Sequence, residues 1–433
     1  MLANGTAAFE GRALLWDYVP WEQMTKQRRG IMWALQLAHG LDRRLILPPL
    51  RFHTKTAGVY EYVRYSELFE MQPLAELHPI TELSDFLAAS EGRIDLVFSL
   101  LKGLPKGVVS AQEPGAPSEW VEGECTKSIE AECEVDEQGE EVCSTPLASF
   151  AGSDSGVRVR NLTCGWSANM RWDRILRARD VRDELAVAIQ NIVYQIPPPP
   201  SVVPLAKFRL ATAEGLPTCG WRCPYELMRS AMRFRRELVS AAHSFLAGTR
   251  RRHAEEKVRV LAVHWRRGDF LSRAGSERAC YDEGTGERLF DGKTGKPCVS
   301  AAVNLTPEQL AAEVSEALTA HNASLVFLAS NAKASEVSAL EAALHGTPLV
   351  LYEQPADAAV AYTEPELAVI DTLVCALADA FLGTRRSMFS WNILEERVMQ
   401  GSEPESGALM GLPQGTRRGE TKGRNVPARA LSM

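Results

Sequence analysis

The second half of the chain alternates short apolar segments with longer amphipathic ones. The segments VRVLAVHW, SLVFLAS and PLVLYE are mostly apolar, and helical patterns over 310–320 and 335–345 separate them. A continuous apolar run of this length is typical of a buried strand in a parallel sheet, which helices cover on both faces. The alternation therefore predicts an α/β unit on a parallel sheet.

The first half opens with the same order of elements. ALLWDYV predicts a strand, PWEQMTKQ a loop, residues 28–41 a helix, and RRLILPP a strand that two prolines end. We further expect helices over 177–195, 225–247 and 368–381. Two successive α/β units predict two Rossmann-like domains that face each other across a cleft.

The domain bounds follow from where this alternation is interrupted. We expect an N-terminal domain over 11–250, which carries an acidic, cysteine-containing surface insertion at about 103–165. The C-terminal domain is expected over 251–400, and 401–433 is expected to be a flexible tail.

Composition excludes several classes of protein. The 433 residues are 45% hydrophobic and 24% charged, so a large core can form. A net charge of −7 argues against a protein that mainly coats nucleic acid. The longest apolar stretch, 367–383, contains two aspartates and is expected to be a buried helix, so no membrane span is predicted.

The cysteines indicate a disulfide-forming compartment. Eight of the nine cysteines lie in loop-like stretches, whereas Cys375 lies in an apolar segment and is expected to be a free buried thiol. Zinc binding by four of the thiols is the alternative, but the chain has no C-x2-C pair, which disfavours it. The expected bridges are Cys280–Cys298, Cys219–Cys223, and Cys164 with one of Cys125, Cys133 or Cys143.

The glycosylation sequons agree weakly with this compartment. They begin at Asn4, Asn161, Asn304 and Asn322. The N-terminus shows no signal-peptide pattern, so a location in the lumen of the endoplasmic reticulum or Golgi requires that this sequence starts late.

HWRRGDF is the sharpest chemical feature, because an apolar strand delivers His264, Arg266, Arg267 and Asp269 to its C-terminal end. Ligands bind at this end of the strands in open α/β sheets. His264 and Arg266 are two residues apart and so share a face. A guanidinium there can grip a diphosphate and neutralise the charge on a leaving phosphate. The alternative is a surface turn in which Arg267 pairs with Asp269, and the preceding buried strand disfavours it.

Two further segments can present ligand-binding groups. Residues 383–390 run from a Gly-Thr pair to a serine-rich helix start, which can bind an anion through free backbone N–H groups or be an ordinary serine cap. The loop over 20–28 lies between a strand and a helix, where a catalytic base or phosphate ligands can be placed.

Together these segments resemble the GDP-fucose protein O-fucosyltransferases. HWRRGDF is similar to the H-x-R-R-x-D motif of fucosyltransferases, and AVIDTLVCALADAFLGTRRSMFSWNILEER is similar to a long block of the family. RRLILPP followed by VRYSELFE resembles the family's N-terminal pattern. NLTC at 161–164 resembles a cysteine-bearing sequon associated with thrombospondin repeats, and the thrombospondin-repeat branch is the closest.

The resemblance implies a GT-B architecture and inversion at the fucose anomeric carbon without an obligatory metal. It implies that Arg266 holds the β-phosphate and assists its departure, with His264 beside the nucleotide. It further implies that Ser387, Met388 and Phe389 line the diphosphate and base pocket.

The acceptor side is implied in the same way. Glu22 stands where the thrombospondin-repeat branch has its catalytic base, and a carboxylate suits removal of a hydroxyl proton. Asp269 would orient the arginine or contact the acceptor.

The sequence departs from the family at several donor-binding positions. The family's G-F-N is Gln23, Met24 and Thr25 here, Met388 replaces a threonine, and Asn331 replaces an aspartate of the guanosine pocket. An amide cannot offer the paired acceptors of a carboxylate.

The function expected is therefore transfer of fucose from GDP-fucose to a Ser or Thr hydroxyl of a secreted, disulfide-rich repeat of the thrombospondin or EGF-like type. Two alternatives stay open. One is a fucosyltransferase acting on a glycan or polysaccharide, and the other is a catalytically silent relative that binds folded repeats.

Overall fold

The computed structural model describes residues 11–18, 24–53, 60–90, 93–100, 121–123, 132–135, 141–144, 158–166, 186–192, 225–253, 258–267, 305–354, 361–384 and 387–410. These residues form two compact units, one before and one after the junction of Arg235 and Arg236. Each unit contains a largely parallel sheet with helices, so the predicted α/β class is confirmed. No helix among these ranges is both long and apolar enough to cross a bilayer.

The first unit is built on a nine-stranded sheet. Its strands, together with the separate antiparallel pair β3–β4, are β1 (Ala13–Tyr18), β2 (Arg44–Leu47), β3 (Leu50–His53), β4 (Tyr60–Val63), β5 (Ile80–Glu82), β6 (Arg93–Leu100), β7 (Val121–Gly123), β8 (Glu132–Val135), β9 (Glu141–Ser144), β10 (Arg158–Trp166) and β11 (Ala186–Ile192). The order is β5-β2-β1-β11-β6-β10-β9-β8, with β7 also paired to β10. Its helices are α1 (Met24–Gly40), α2 (Tyr65–Leu68), α3 (Gln72–Ala75), α4 (Leu83–Ser90) and α5 (Tyr225–Ala231).

Two predictions about this unit are wrong. Part of the expected helix over 177–195 is strand β11, which lies parallel between β1 and β6. An apolar segment buried in a parallel sheet has no period-2 pattern that would distinguish it from a helix. The described parts of the expected surface insertion are strands β7 to β10, and β10 pairs in parallel with β6, so they extend the main sheet.

The strand register bears on the expected disulfides. Cys133 of β8 lies directly opposite Cys143 of β9, whereas Cys164 lies opposite Gly123 of β7. Cys133 and Cys143 are thus neighbours in the backbone register, and the pairing expected for Cys164 with Cys125, Cys133 or Cys143 stays a prediction. Cys375 is free and fully buried, as predicted, and burial raises the pKa of its thiol.

Helix α1 begins at Met24, earlier than the sequence predicts, and a buried arginine anchors its N-terminal part. The Arg28 guanidinium lies 4.8 Å from the ring centroid of Phe69 and 4.7 Å from that of Phe234. It also donates to the Met232 carbonyl at 3.2 Å. Cation–π contacts of this kind are strongest where water is excluded. Arg28 therefore ties α1 to two distant segments of the first unit.

The VRYSELFE segment is held by a nearly buried carboxylate. Glu82 accepts hydrogen bonds from the backbone N–H of Ser66 at 2.8 Å and from its hydroxyl at 2.9 Å, and it forms an ion pair with Arg64. The rings of Tyr65 and Phe69 stack at 4.7 Å. These contacts of the VRYSELFE segment hold it in place within the first unit.

The second unit has a five-stranded, wholly parallel sheet. Its strands are β12 (Val260–Trp265), β13 (Leu325–Ser330), β14 (Leu349–Val350), β15 (Ala380–Gly383) and β16 (Gly407–Leu409), in the order β14-β13-β12-β15-β16. Its helices are α6 (Arg236–Arg252), α7 (Pro307–His321), α8 (Ala334–Ala343), α9 (Glu364–Leu377) and α10 (Met388–Met399), with a short 3-10 turn at Pro404–Ser406. This is a doubly wound order, in which the chain moves outward from β12 in both directions.

The two faces of strand β12 have different neighbours. Every residue of β12 is buried, as its apolar sequence predicts. Leu261, Val263 and Trp265 pack into a core with residues of α7 and α8. His264 lies on the other face, against α10. Successive side chains therefore alternate between two helical layers.

Helix α6 belongs to the second unit, so the expected domain bound near residue 250 lies too late. The predicted helix over 225–247 breaks after Ala231, and α6 starts at Arg236. Phe245 of α6 packs against Phe327 of β13, with ring centroids 5.6 Å apart. This helix covers the sheet of the second unit.

The end of the chain also differs from the prediction. The expected helix over 368–381 stops at Leu377, and AFLG forms the buried strand β15. Residues 407–409, expected in a flexible tail, form β16 and pair in parallel with β15. Residues 411–433 lie outside the described part of the chain.

A buried arginine explains why α9 stops where it does. Nη1 of Arg397 donates to the carbonyls of Cys375 at 2.9 Å and Ala378 at 2.7 Å, and Nη2 donates to the hydroxyl of Ser406. Burial lowers the pKa of Arg397 to about 10, so the side chain is still charged at neutral pH. It satisfies carbonyls that the end of a helix leaves without donors.

Replacing Arg397 by alanine is expected to lower the free energy of unfolding by about 3 kcal/mol, because several buried carbonyls lose a charged donor. Urea unfolding of both proteins measures the difference. The control is Arg251→Ala at an exposed position of α6, which should change stability by less than about 0.5 kcal/mol. Equal losses in the two variants would contradict the capping role.

Candidate functional site

The candidate ligand-binding position in the second unit lies at the carboxyl ends of the adjacent strands β12 and β15. The chain leaves β12 toward β13 on one side, whereas β15 and β16 lie on the other. Ligands of open α/β sheets bind outside the carboxyl ends of the strands at such a switch point. In the register of this sheet His264 stands opposite Gly383, so the HWRR segment and the residues after β15 meet there.

His264 is a buried, neutral side chain at this edge. Its Nδ1 shares a hydrogen bond of 2.6 Å with the hydroxyl of Ser390, and its ring centroid lies 4.8 Å from that of Phe389. Burial, and then the positive charge of Arg266, lowers the pKa of His264 to about 3. The ring can therefore donate or accept a hydrogen bond, but it contributes no charge near neutral pH.

Thr384 fixes the backbone on either side of Trp265, through the His264 carbonyl and the Arg266 N–H. Its hydroxyl donates to the His264 carbonyl at 2.7 Å and accepts from the Arg266 N–H at 2.8 Å. Its own N–H donates to the same carbonyl at 3.0 Å. Arg266 is half-buried. The backbone that carries Arg266 is thus anchored to the residue that follows β15.

Helix α10 begins beside this anchor. Ser387 is its N-cap residue and is buried, and its N–H donates to the Thr384 carbonyl at 3.2 Å. Among the described residues, the Ser387 side chain makes no capping hydrogen bond, so the ordinary serine cap is not what the structure shows. The start of a helix carries partial positive charge. Met388 and Phe389, both partly exposed, form the first turn.

Gly383 allows α10 to come this close to the sheet. A Cβ placed on Gly383 would lie 2.8 Å from the Cβ of Ser390 and 2.8 Å from Cε1 of Phe381. Both distances are shorter than carbon atoms adopt without displacement, and both atoms belong to packed elements. The Gly-Thr pair therefore has two separate roles, close approach by Gly383 and backbone anchoring by Thr384.

Arg267 points away from this edge, and its partner is Glu336. Its guanidinium forms a partly buried ion pair with Glu336 and lies over the Trp265 ring, 4.7 Å from the ring centroid. Hydrogen bonding to Arg267 lowers the pKa of the Glu336 carboxyl. The sequence alternative paired Arg267 with Asp269, and it did not consider Glu336, which lies 69 positions later. No local pattern signals so distant a partner.

Asn331 lies at the same edge, at the end of β13. Its side-chain oxygen accepts from the Arg267 N–H at 2.7 Å. The amide oxygen is therefore already engaged, and the exposed side chain presents its NH2 group to any ligand.

The remaining predicted site residues belong to the first unit or lie outside the described ranges. Glu22, Gln23 and Asp269 lie outside them, and so does the side chain of Thr25. Met24 is 3% exposed, inside the first turn of α1. The described ranges contain no cluster of three or more His, Cys, Asp or Glu side chains that could hold a metal ion. The roles assigned to these residues stay predictions.

The sequence matches a known protein family over most of its length. A sequence model of the GDP-fucose protein O-fucosyltransferases matches residues 23–400. The chain belongs to this family. No curated protein sequence was found to match it.

Solved structures agree with this family on the fold. POFUT1 in complex with GDP is 15% identical, with a TM-score of 0.57 over 94% of this chain and 100% of that one. POFUT1 in complex with GDP-fucose is also 15% identical, with a TM-score of 0.57 over 93% of this chain and 98% of that one. The apo form of POFUT1 is 15% identical, with a TM-score of 0.57 over 94% of this chain and 99% of that one. These matches confirm the fold class predicted from the sequence, which is GT-B-like.

The pH dependence of stability tests the neutral state of His264. Because its pKa is lower in the folded chain than the ordinary value near 6.5, folding loses stability as the pH falls from about 6.5 toward about 3. The free energy of unfolding of wild type, relative to that of His264→Gln, should therefore fall by about 1.4 kcal/mol for each unit by which the pH is lowered in this window. Urea unfolding from pH 7 to 4 measures it, and other titrating groups cancel in the difference. A constant difference would mean that His264 titrates normally.

Proposed function

We propose that this chain transfers fucose from GDP-fucose to a Ser or Thr hydroxyl of a secreted, disulfide-rich protein repeat, with inversion at the anomeric carbon. One observation carries the donor half of the proposal. Arg266 stands at the switch point of a doubly wound sheet, beside neutral His264 and the start of α10. Family membership supports the reaction class.

The proposed chemistry needs positive charge where the diphosphate leaves. The hydroxyl oxygen of the acceptor attacks the anomeric carbon of fucose while the bond from that carbon to the β-phosphate oxygen breaks. The Arg266 guanidinium and the N–H groups of the first turn of α10 stabilise the charge that develops on the phosphate. We propose that this charge suffices without an obligatory metal.

The remaining site residues keep the roles that the resemblance implies. Ser387, Met388 and Phe389 lie close enough to His264 to form one wall of a nucleotide site. Glu22 is proposed as the base that takes the proton of the acceptor hydroxyl, and Asp269 as the residue that orients the arginine or touches the acceptor. Asn331, with its oxygen engaged, would contact the base through its NH2 group.

The proposed compartment is the lumen of the secretory pathway, where disulfide-rich acceptors fold. One sequon is placed for modification, because Asn322 is exposed at the left-handed residue that ends α7. Asn161 lies within strand β10, and Asn4 and Asn304 are outside the described residues.

Replacing Arg266 by alanine should reduce the release of GDP from GDP-fucose by at least about 100-fold, because a positioned charge contributes about 3 kcal/mol or more to the transition state. The matched control is Arg259→Ala, since Arg259 is exposed just before the opposite end of β12. It should keep wild-type turnover. Unchanged GDP release in Arg266→Ala would refute the assignment.

A panel of acceptors tests the other half of the proposal. Folded thrombospondin-type repeats, folded EGF-like repeats and oligosaccharides are each incubated with the protein and GDP-fucose, and fucose incorporation is measured by mass. We expect incorporation only into a folded repeat. Incorporation into oligosaccharides alone would indicate a glycan fucosyltransferase. Binding of a repeat with no donor turnover would indicate a silent relative.

A further inference from the structure

The two neighbouring arginines of HWRRGDF have different environments. Arg266 is half-buried at the switch point, whereas Arg267 is 7% exposed and lies on the face that carries Trp265. We infer that Arg267 and Glu336 form a positioning pair, which holds the end of β12 so that Arg266 is presented to the donor. This inference rests on the proposed function for the role of Arg266, but not for the structural effect of the pair.

The Arg267 side chain is engaged on several sides. Its Nε donates to Oε1 of Glu336 at 3.0 Å, its Nη2 donates to the same oxygen, and its Nη1 donates to the Leu305 carbonyl at 3.2 Å. The guanidinium plane covers Trp265. A side chain bound in this way serves to fix the backbone to which it is attached.

Glu336 connects this arginine to the next helix. Its other oxygen, Oε2, accepts from the N–H of Lys333 at 3.1 Å, at the start of α8. The Arg267 N–H donates to Asn331 in the same connection between β13 and α8. The ends of β12 and β13 are further joined by the Ser330 hydroxyl, which donates to the Trp265 carbonyl at 2.7 Å. Removal of the carboxylate therefore loosens two elements at once.

The peptide of Arg266 is consequently held from both neighbouring strands. On the β15 side its N–H donates to Thr384, and on the β13 side the next N–H donates to Asn331. A displacement of about 1 Å at a reacting group can reduce turnover about 100-fold. The pair is thus expected to affect kcat through Arg266, without contact with the donor.

The opposite end of the same strand provides a matched control. Asp379 Oδ2 accepts from Nη2 of Arg250 and from the N–H of Val260, both at 2.8 Å. This is also an Arg–carboxylate pair that fixes the backbone of β12. It lies at the amino end of the strand, away from the switch point.

The experiment compares Glu336→Ala with Asp379→Ala in the full chain, with thermal unfolding measured for both. Hydrogen exchange with residue-level fragmentation reports the amides of Val260, Arg266 and Arg267, and kinetics of GDP release report kcat and KM. In Glu336→Ala the amides of 266 and 267 should exchange at least about tenfold faster, and kcat should fall about tenfold or more. In Asp379→Ala only the Val260 amide should exchange faster, with kcat within about twofold of wild type.

A conservative variant separates positioning from general loss of stability. Glu336→Gln removes the charge and keeps one acceptor oxygen, which can accept from Arg267 or from the Lys333 N–H but not from both. It should therefore give intermediate exchange and intermediate kcat. It also replaces Glu336→Ala if that variant does not fold. Unchanged exchange at 266 and 267, or an equal fall of kcat in the Glu336 and Asp379 variants, would overturn the inference. If wild type releases no GDP, the proposed function fails, while the exchange data still decide whether the pair holds the strand end.

Discussion

A single threonine hydroxyl joins the two halves of the candidate donor site. Thr384 binds the backbone on both sides of the β12 terminus, and this contact requires β15 to lie directly beside β12. That arrangement depends in turn on Gly383, which lets α10 pack against the strand, and on Arg397, which ends α9 before β15 begins. The site is therefore the product of two neighbouring helix–strand junctions rather than of one motif.

The charge of the site follows from the burial of its histidine. Because His264 is neutral, the positive potential at the switch point comes from Arg266 and from the start of α10. A protonated imidazole beside a guanidinium would repel it, so burial removes a competing cation. The hydrogen bond with Ser390 keeps the neutral ring in a fixed orientation.

Much of this fold could be predicted from sequence, because buried parallel strands such as β12 and β13 have a strong apolar signal. The signal failed at β15, whose four residues follow an equally apolar helix and were predicted to be its end. It failed also at β11, whose apolar run in a parallel sheet has no period-2 pattern and was predicted to be a helix. For the site, the HWRR segment and the start of α10 were predicted to carry ligand-binding residues, and the structure brings them together. Glu336 and Arg397 were missed as partners, because their contacts depend on tertiary packing and not on spacing along the chain.

The buried thiol in α9 has a practical consequence. Cys375 is fully enclosed and its sulfur is kept protonated, so alkylating reagents reach it only when this helix separates from the sheet. Its rate of labelling, read from the mass of the peptide that contains it, therefore reports how often the second unit opens. A bound nucleotide that stabilises this unit would slow the labelling, which makes the native cysteine an intrinsic reporter of ligand binding.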